Sequence, residues 1–160
     1  MQEIRKTVIG TLVMVYLLAG CPDWLHNDAW PMAFMHHFFH ANIFHLAVNC
    51  YSLWCLYRAR HGAGKMLVAY LCATASWFFS SADPIGASNF IFAFIGLCSP
   101  PFSHMWWRKR QTIIFLSLNL AMLLLPWVSA ITHIVSFALG CICACIGRRI
   151  KSLSRDIGYR

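Results

Sequence analysis

Apolar residues fall into six runs along the chain, and every charged residue lies outside them. The runs cover residues 7–18, 33–56, 66–79, 87–98, 112–125 and 130–146. An apolar helix crosses the hydrocarbon layer of a membrane, which is about 30 Å thick, and short polar loops connect successive crossings. The pattern therefore predicts an all-α membrane protein, with six transmembrane helices in a single domain that covers residues 1–160.

The composition supports a membrane protein and argues against a nucleic-acid-binding domain. Hydrophobic residues make up 59% of the chain and charged residues 11%, whereas a soluble domain carries about 25% charged residues. The net charge is +8 with His neutral, but the basic residues form small clusters between apolar runs, as in membrane proteins. We therefore expect contact with a lipid bilayer and no nucleic-acid partner.

The basic residues also predict an orientation. If the chain crosses six times, all thirteen Lys and Arg residues lie on the side of the N-terminus: Arg5 and Lys6 before the first run, and the others in the loops at 58–65 and 108–110 and in the C-terminal tail. The opposite loops contain Asp23, Asp28 and Asp83 and no Lys or Arg. Basic residues favour the inner side of a membrane, so we predict that both termini are inside.

The fourth run is too short to cross the hydrocarbon layer. About 13 residues separate Ser88 from Pro100, which corresponds to roughly 20 Å of helix. If the lower end reaches the inner interface, the upper end lies about 10 Å below the outer one. Non-helical backbone is tolerated at that depth where it is buried in protein or lines a wet cavity. The fourth helix is therefore predicted to start inside the membrane, with Ser88 at the floor of a cavity.

Other polar residues are predicted at the same depth. His133 lies six residues beyond Trp127, an aromatic residue expected at the outer interface, and so about 9 Å deep. His45 lies 13 residues before Arg58 and so about 10 Å below the outer face. Asn49 lies one turn below His45 on the same helix face. Polar side chains inside membrane spans are costly and are often functional.

This combination of residues is suited to acyl transfer. A serine hydroxyl needs a base to become a good nucleophile, and His133 is a suitable base because the ordinary pKa of His is about 6.5. The Ser88 backbone N–H, the Asn49 amide and the His45 ring are possible donors to an oxyanion. No carboxylate lies in a span, so the predicted catalyst is a Ser–His dyad. The competing interpretation is that these groups only form hydrogen bonds between helices.

A metal or haem site is a further alternative, because four histidines lie close together in the sequence. They are His36, His37, His40 and His45. In one continuous helix, His36 and His40 would share a face and could share a metal. His40 and His45 would be about 140° apart around that helix, so the four rings could not converge. We therefore expect no metal and no cofactor.

Three motifs in order resemble those of the rhomboid intramembrane serine proteases. The family's second-helix motif H-x4-H-x3-N is present as His40, His45 and Asn49. The motif G-x-S-G that opens the family's fourth helix reads Gly-Ala-Ser-Asn at residues 86–89. The histidine that opens the sixth helix before small residues is matched by His133, Ser136 and Gly140. Small residues at Ala93, Gly96, Ser136 and Gly140 predict close packing of the fourth helix against the sixth, which would bring Ser88 to His133. The resemblance covers the second to sixth predicted helices and implies a small six-helix rhomboid of the bacterial type.

The resemblance implies catalytic roles for four of these residues. Ser88 would be the nucleophile and His133 the base of a serine endopeptidase. His45, Asn49 and the Ser88 backbone would form the oxyanion hole. The alternative is a catalytically inactive rhomboid-like protein that binds membrane clients, and the presence of both Ser88 and His133 favours an enzyme.

The resemblance also implies three supporting roles and a cellular setting. Phe92 would stack on the His133 ring, Gly86 would allow a close approach of the loop, and His40 would steady the first loop. Asn89 stands where the family has glycine, at the predicted contact of the fourth and sixth helices. The implied location is the bacterial inner membrane, with the active site open to the outer side. The implied substrates are single-span membrane proteins with small or helix-breaking residues near the cleaved bond.

Overall fold

The computed structural model describes residues 2–19, 31–56, 63–79, 85–98, 117, 120–121 and 130–158. These residues form helices and contain no strand, which confirms the all-α class for the described part of the chain. The elements are α1 (Gln2–Ala19), α2 (Met32–Met35), a 3-10 turn (His36–Phe38), α3 (Ile43–Leu56), α4 (Ala63–Trp77), α5 (Ser88–Cys98) and α6 (Ala130–Gly158). Most of the fifth apolar run, and the loops with Asp23, Asp28 and Asp83, lie outside the described residues.

Helix α6 is much longer than the sixth apolar run from which it was predicted. It continues through the basic tail to Gly158, and its segment Ile131–Arg155 is long and apolar enough to cross a membrane. Three shorter apolar helices are Lys6–Ala19, Ile43–Leu56 and Ser88–Cys98. Among the described residues one helix therefore meets the criteria for a full span by itself, and the number of six crossings stays a prediction.

The second apolar run does not form one helix, so the prediction of a continuous span over 33–56 was wrong. Helix α2 and the 3-10 turn end in Phe39, whose backbone is extended with a ψ of 150°. Helix α3 then begins at Ile43 because Asn42 caps it: the His45 backbone N–H donates a 2.9 Å hydrogen bond to Asn42 Oδ1. An asparagine in this position satisfies one of the unpaired N–H groups at a helix start.

Helix α5 is the short central helix of the bundle and packs between α4 and α6. It has 11 residues, or about 16 Å of helix, which agrees with the predicted short fourth helix. A Cβ added at Gly140 of α6 would collide with the Ala93 carbonyl oxygen and lie 2.9 Å from Leu97 N. A Cβ at Gly96 would collide in the same way with the Phe137 carbonyl oxygen. Glycine at these two positions therefore allows the backbones of α5 and α6 to touch, as the sequence predicted for this helix pair.

Ser136 was predicted to belong to the same contact, but it faces α4 instead. Its hydroxyl donates a 2.7 Å hydrogen bond to Ser76 Oγ, and Ser76 donates in turn to the Ala73 carbonyl. Lower in the same interface, the Sγ atoms of the free cysteines Cys72 and Cys143 lie 3.6 Å apart. A polar contact and a thiol pair thus join α6 to α4.

Candidate active site

Ser88 and His133 are in direct contact, although 45 residues separate them. Ser88 is the first residue of α5, and His133 lies in the first turn of α6. The distance from Ser88 Oγ to His133 Nε2 is 2.7 Å, and the two residues are 8% and 3% exposed. When the hydroxyl donates to Nε2, the imidazole hydrogen lies on Nδ1. Within the described residues, buried His133 Nδ1 has no hydrogen-bond partner, and so no carboxylate.

An aromatic ring fixes the plane of the His133 imidazole. Phe92 lies one turn after Ser88 on α5 and so on the same helix face. Its ring stacks on that of His133 with a centroid distance of 4.5 Å and an interplanar angle of 16°. The imidazole is therefore held between a hydrogen bond at its edge and a ring on its face, and the stacking expected of Phe92 is present.

Two side chains of α3 offer hydrogen-bond donors beside Gly86, in the loop that precedes Ser88. His45 and Asn49 are one turn apart, and both are buried. Both ring nitrogens of His45 and the amide nitrogen of Asn49 are buried without a partner among the described residues. A Cβ added at Gly86 would lie 2.7 Å from His45 Nε2 and 3.2 Å from Asn49 Nδ2. Unpaired buried donors cost free energy, so their presence beside the loop before Ser88 needs a reason, such as a bound anion.

Gly86 is required in this loop by its backbone as well as by space. Its φ is 113°, a left-handed value that residues with a Cβ rarely adopt. Its N–H donates a 2.9 Å hydrogen bond to the His36 carbonyl, which ties the loop to the 3-10 turn. The loop can therefore pass directly over His45 and Asn49, and Ser88 follows it at the start of α5.

The comparison with known protein families agrees with this geometry. A family model described as the Rhomboid domain matches residues 26–150, which is more than half of the chain. The chain belongs to the rhomboid family. No curated protein matches it. The rhomboid family is one of intramembrane serine proteases that act on membrane proteins within the bilayer, so this rhomboid protein is an integral membrane protein.

The histidines of this rhomboid protein do not lie on one continuous helix. Because the chain is extended between the 3-10 turn and α3, the His40 and His45 rings meet edge to face, with centroids 5.2 Å apart. The separation of about 140° that the sequence predicted for this pair was therefore wrong. Among the described residues, no group of three or more His, Cys, Asp or Glu side chains is placed to hold a metal ion.

His40 contacts the chain that leads to Ser88. It is fully buried, and its Nε2 atom lies 3.5 Å from the backbone nitrogen of Ala87, whose N–H donates to it at the limit of a hydrogen bond. The first loop, which His40 was expected to steady, lies mostly outside the described residues. The described contact instead places His40 beneath the loop at 85–87.

His36 is a site residue that the sequence reasoning considered only as a metal ligand. Its carbonyl accepts from the Gly86 N–H, and its Nε2 atom lies 3.5 Å from Asn89 Nδ2. Its Nδ1 atom bonds the Met32 carbonyl at 3.1 Å. His36 thus holds the chain on both sides of Ser88. Its position four residues before His40 suggested that both side chains belong to one site. The direction of the His36 side chain could not be predicted, because the helix breaks between these two residues.

Asn89 faces His36 and not the contact of α5 with α6, contrary to the sequence-based expectation. It is 1% exposed, and its Oδ1 atom is buried without a partner among the described residues. The side chain therefore leaves the Ser88–His133 hydrogen bond unobstructed.

Replacing Asn89 with glycine should preserve or raise activity. In the wild type, the buried Asn89 Oδ1 atom has no partner among the described residues, and such an atom destabilises a fold by about 1–3 kcal/mol. The change removes this atom and loses one long contact to His36. Rates of cleavage by Asn89→Gly and wild type, measured in the same vesicles, test this. Asn89→Ala is the control for the lost amide, since it keeps a Cβ. A marked loss of rate in both variants would show that the amide itself supports the site.

Proposed function

We propose that this rhomboid protein is an intramembrane serine endopeptidase in which Ser88 is the nucleophile and His133 the general base. The observation that carries the proposal is the 2.7 Å contact between Ser88 Oγ and His133 Nε2, in a buried site at the start of α5. Nucleophile and base within hydrogen-bond reach are the signature of covalent catalysis. The Phe92 stacking supports it, because it holds the accepting nitrogen towards the hydroxyl.

The geometry supports the following reaction sequence. Ser88 Oγ attacks the carbonyl carbon of the scissile peptide bond while its proton moves to His133 Nε2. The tetrahedral intermediate collapses, the C–N bond breaks, and His133 gives the proton to the leaving amine. A water molecule then attacks the acyl group on Ser88 after losing a proton to His133, and the carboxylate product leaves as Ser88 regains its proton.

The oxyanion hole is assigned to His45 Nε2, Asn49 Nδ2 and the Ser88 backbone N–H. The two side-chain groups have no protein partner among the described residues and approach the loop that precedes Ser88. Donors that are already in place act on the charge that develops in the transition state and need no rearrangement. Leaving these donors without a partner destabilises the resting protein, but it keeps them in position for the oxyanion.

Asn49→Ala should lower kcat by roughly 100-fold or somewhat more, as expected for one oxyanion donor. The fold should remain intact, because the amide nitrogen makes no hydrogen bond to the described residues that would be lost. Cleavage kinetics and the thermal unfolding midpoint of the purified variant give the two readouts. Cys50→Ala is the matched control at the next position of α3. Cleavage by Asn49→Ala at the wild-type rate would remove this side chain from the hole.

The proposed substrates are single-span membrane proteins that reach the site from the outer side of the bacterial inner membrane. The positive-inside distribution of Lys and Arg supports this orientation, because it favours an inner location for both termini of the proposed single domain 1–160. Reporter fusions should place Lys65 and Arg108 on the same side as both termini. A fusion that places Arg108 on the side of Asp28 would contradict the proposed topology.

The alternative, an inactive rhomboid-like protein that binds clients, would require the serine to be blocked or unpaired with its base. Asn89, which replaces the motif glycine, faces His36 and does not block Ser88. A fluorophosphonate probe applied to the purified protein distinguishes the two functions. We expect Ser88 Oγ to displace fluoride and form a stable phosphonyl ester, with labelling lost in Ser88→Ala. Absent labelling of a folded wild-type protein, or equal labelling of Ser88→Ala, would favour the inactive alternative.

A further inference from the structure

The two neighbouring histidines of the 3-10 turn face different partners. His36 contacts the loop that leads to Ser88, because its carbonyl accepts a 2.9 Å hydrogen bond from the Gly86 N–H. His37 instead faces α4, where its Nε2 atom lies 3.4 Å from Thr74 Oγ1. Both histidines are buried. The 3-10 turn is therefore joined to the loop on one side and to α4 on the other.

Tyr70 forms a second connection between α4 and the segment that carries these histidines. Its hydroxyl donates a 2.7 Å hydrogen bond to the backbone carbonyl of Phe34 in α2. Tyr70 lies one helical turn before Thr74 and so on the same face of α4. Its ring lies against that of His37, with the ring centroids 5.2 Å apart. One face of α4 thus holds both α2 and the 3-10 turn.

The segment from α2 to the 3-10 turn is too short to keep its position alone. It consists of Met32–Met35 and His36–Phe38, and the backbone is extended at Phe39 directly after it. Isolated helices shorter than about 12 residues are marginally stable, so such a segment needs contacts with its neighbours. Hydrogen bonds that are lost inside a bilayer are not replaced by water. The two polar contacts with α4 therefore help to fix the place of the turn.

We propose that His37 and Tyr70 are positioning residues for the nucleophile of this rhomboid protein. They hold the 3-10 turn on α4, and the turn holds Gly86, two residues before Ser88. His133 lies on a different helix, α6. A displaced turn would therefore move Ser88 away from His133 and leave the base in place. The inference rests on the proposed protease function, because it concerns the reactivity of Ser88.

Amide hydrogen exchange of the full-length protein tests the hold on the loop without any use of proteolysis. Tyr70→Phe removes only the hydroxyl that bonds α2. Exchange of the segment 85–88, measured by mass spectrometry in detergent, should become about fivefold faster, the effect of losing one ordinary hydrogen bond. Thr74→Val replaces the hydroxyl that faces His37 with a methyl group and should have a similar effect. Tyr16→Phe makes the same change as Tyr70→Phe on α1 and should leave this segment unchanged.

The rate of labelling by a fluorophosphonate tests whether this hold acts on Ser88. Tyr70→Phe and Thr74→Val should each slow labelling about fivefold at a temperature where both variants are fully folded, whereas a merely structural role would leave the rate unchanged. His37→Leu should have the effect of Thr74→Val, and the double variant should be no slower than either, because both remove the same contact. His37→Gln keeps a nitrogen donor near the position of Nε2 and should restore most of the rate.

Unchanged exchange at 85–88 in folded Tyr70→Phe and Thr74→Val would overturn the proposal. Faster exchange with an unchanged rate of labelling would also overturn it, because these residues would then have a structural role alone. An effect of Tyr16→Phe equal to that of Tyr70→Phe would do the same. Wild-type protein that is folded but not labelled would contradict the proposed protease function, and the exchange rates alone would then decide whether α4 holds the loop.

Discussion

Alanine at Ser88 or at His133 should reduce the rate of peptide cleavage by roughly 10⁵-fold or more, which is the scale for removing one member of a nucleophile–base pair. Ser88→Ala removes the atom that forms the acyl-enzyme, and His133→Ala removes the nitrogen 2.7 Å from it. Because each residue is useless without the other, the double variant should be no slower than either single one. The measurement is kcat/KM for a single-span substrate in proteoliposomes.

Ser136→Ala is the matched control for the dyad variants. It removes a buried hydroxyl one turn below His133 on α6, together with the hydrogen bond to Ser76. We expect a stability cost of about 1 kcal/mol and cleavage close to the wild-type rate. If Ser88→Ala still cleaves substrate, or if the double variant is slower by the product of the two single effects, Ser88 and His133 do not act as one unit.

The sequence was sufficient to bring the site together because depth in a membrane is a strong constraint. Lengths of helix place Ser88, His133 and His45 at one level, and small residues at Ala93, Gly96, Ser136 and Gly140 predict close contact of two helices. In the structure Ser88 touches His133, and the glycines lie where the backbones of α5 and α6 meet. These features follow from the lengths of the helices and the sizes of the side chains, and both can be obtained from the sequence.

The features of the fold and the site that the sequence did not predict depend on backbone angles and on long-range contacts. Asn42 lies inside the second apolar run, but its side chain caps α3, which begins after the extended backbone at Phe39. The hydrophobic pattern does not predict such a break between two helical segments, because the residues on both sides of it are apolar. The contact of Asn89 with His36 joins residues 53 apart, and the direction of His36 depends on the unrecognised 3-10 turn. Ser136 was assigned to the wrong neighbour for a related reason: it lies where three helices meet, and spacing alone does not decide between α4 and α5.

Gly140→Ala should destabilise the protein by about 3 kcal/mol, at the upper end of the range for overpacking, and should abolish labelling of Ser88. The added methyl group would meet the Ala93 carbonyl oxygen and lie 2.9 Å from the Leu97 nitrogen. Both are backbone atoms within α5, so no side-chain rotation can relieve the collision. The helices would have to separate. Since Ser88 lies on one helix and His133 on the other, separation lengthens the 2.7 Å contact between them.

Gly147 provides the matched control for this prediction. It lies seven residues further along α6, and a Cβ there would have no atom of the described residues within 4 Å. Gly147→Ala gains helix propensity of up to about 1 kcal/mol and should therefore leave labelling intact and stability equal or higher. Unfolding midpoints and probe labelling of the two variants give a direct comparison of the same substitution on the same helix. Equal stability and equal labelling of Gly140→Ala and Gly147→Ala would mean that close contact of α5 with α6 does not hold the dyad together.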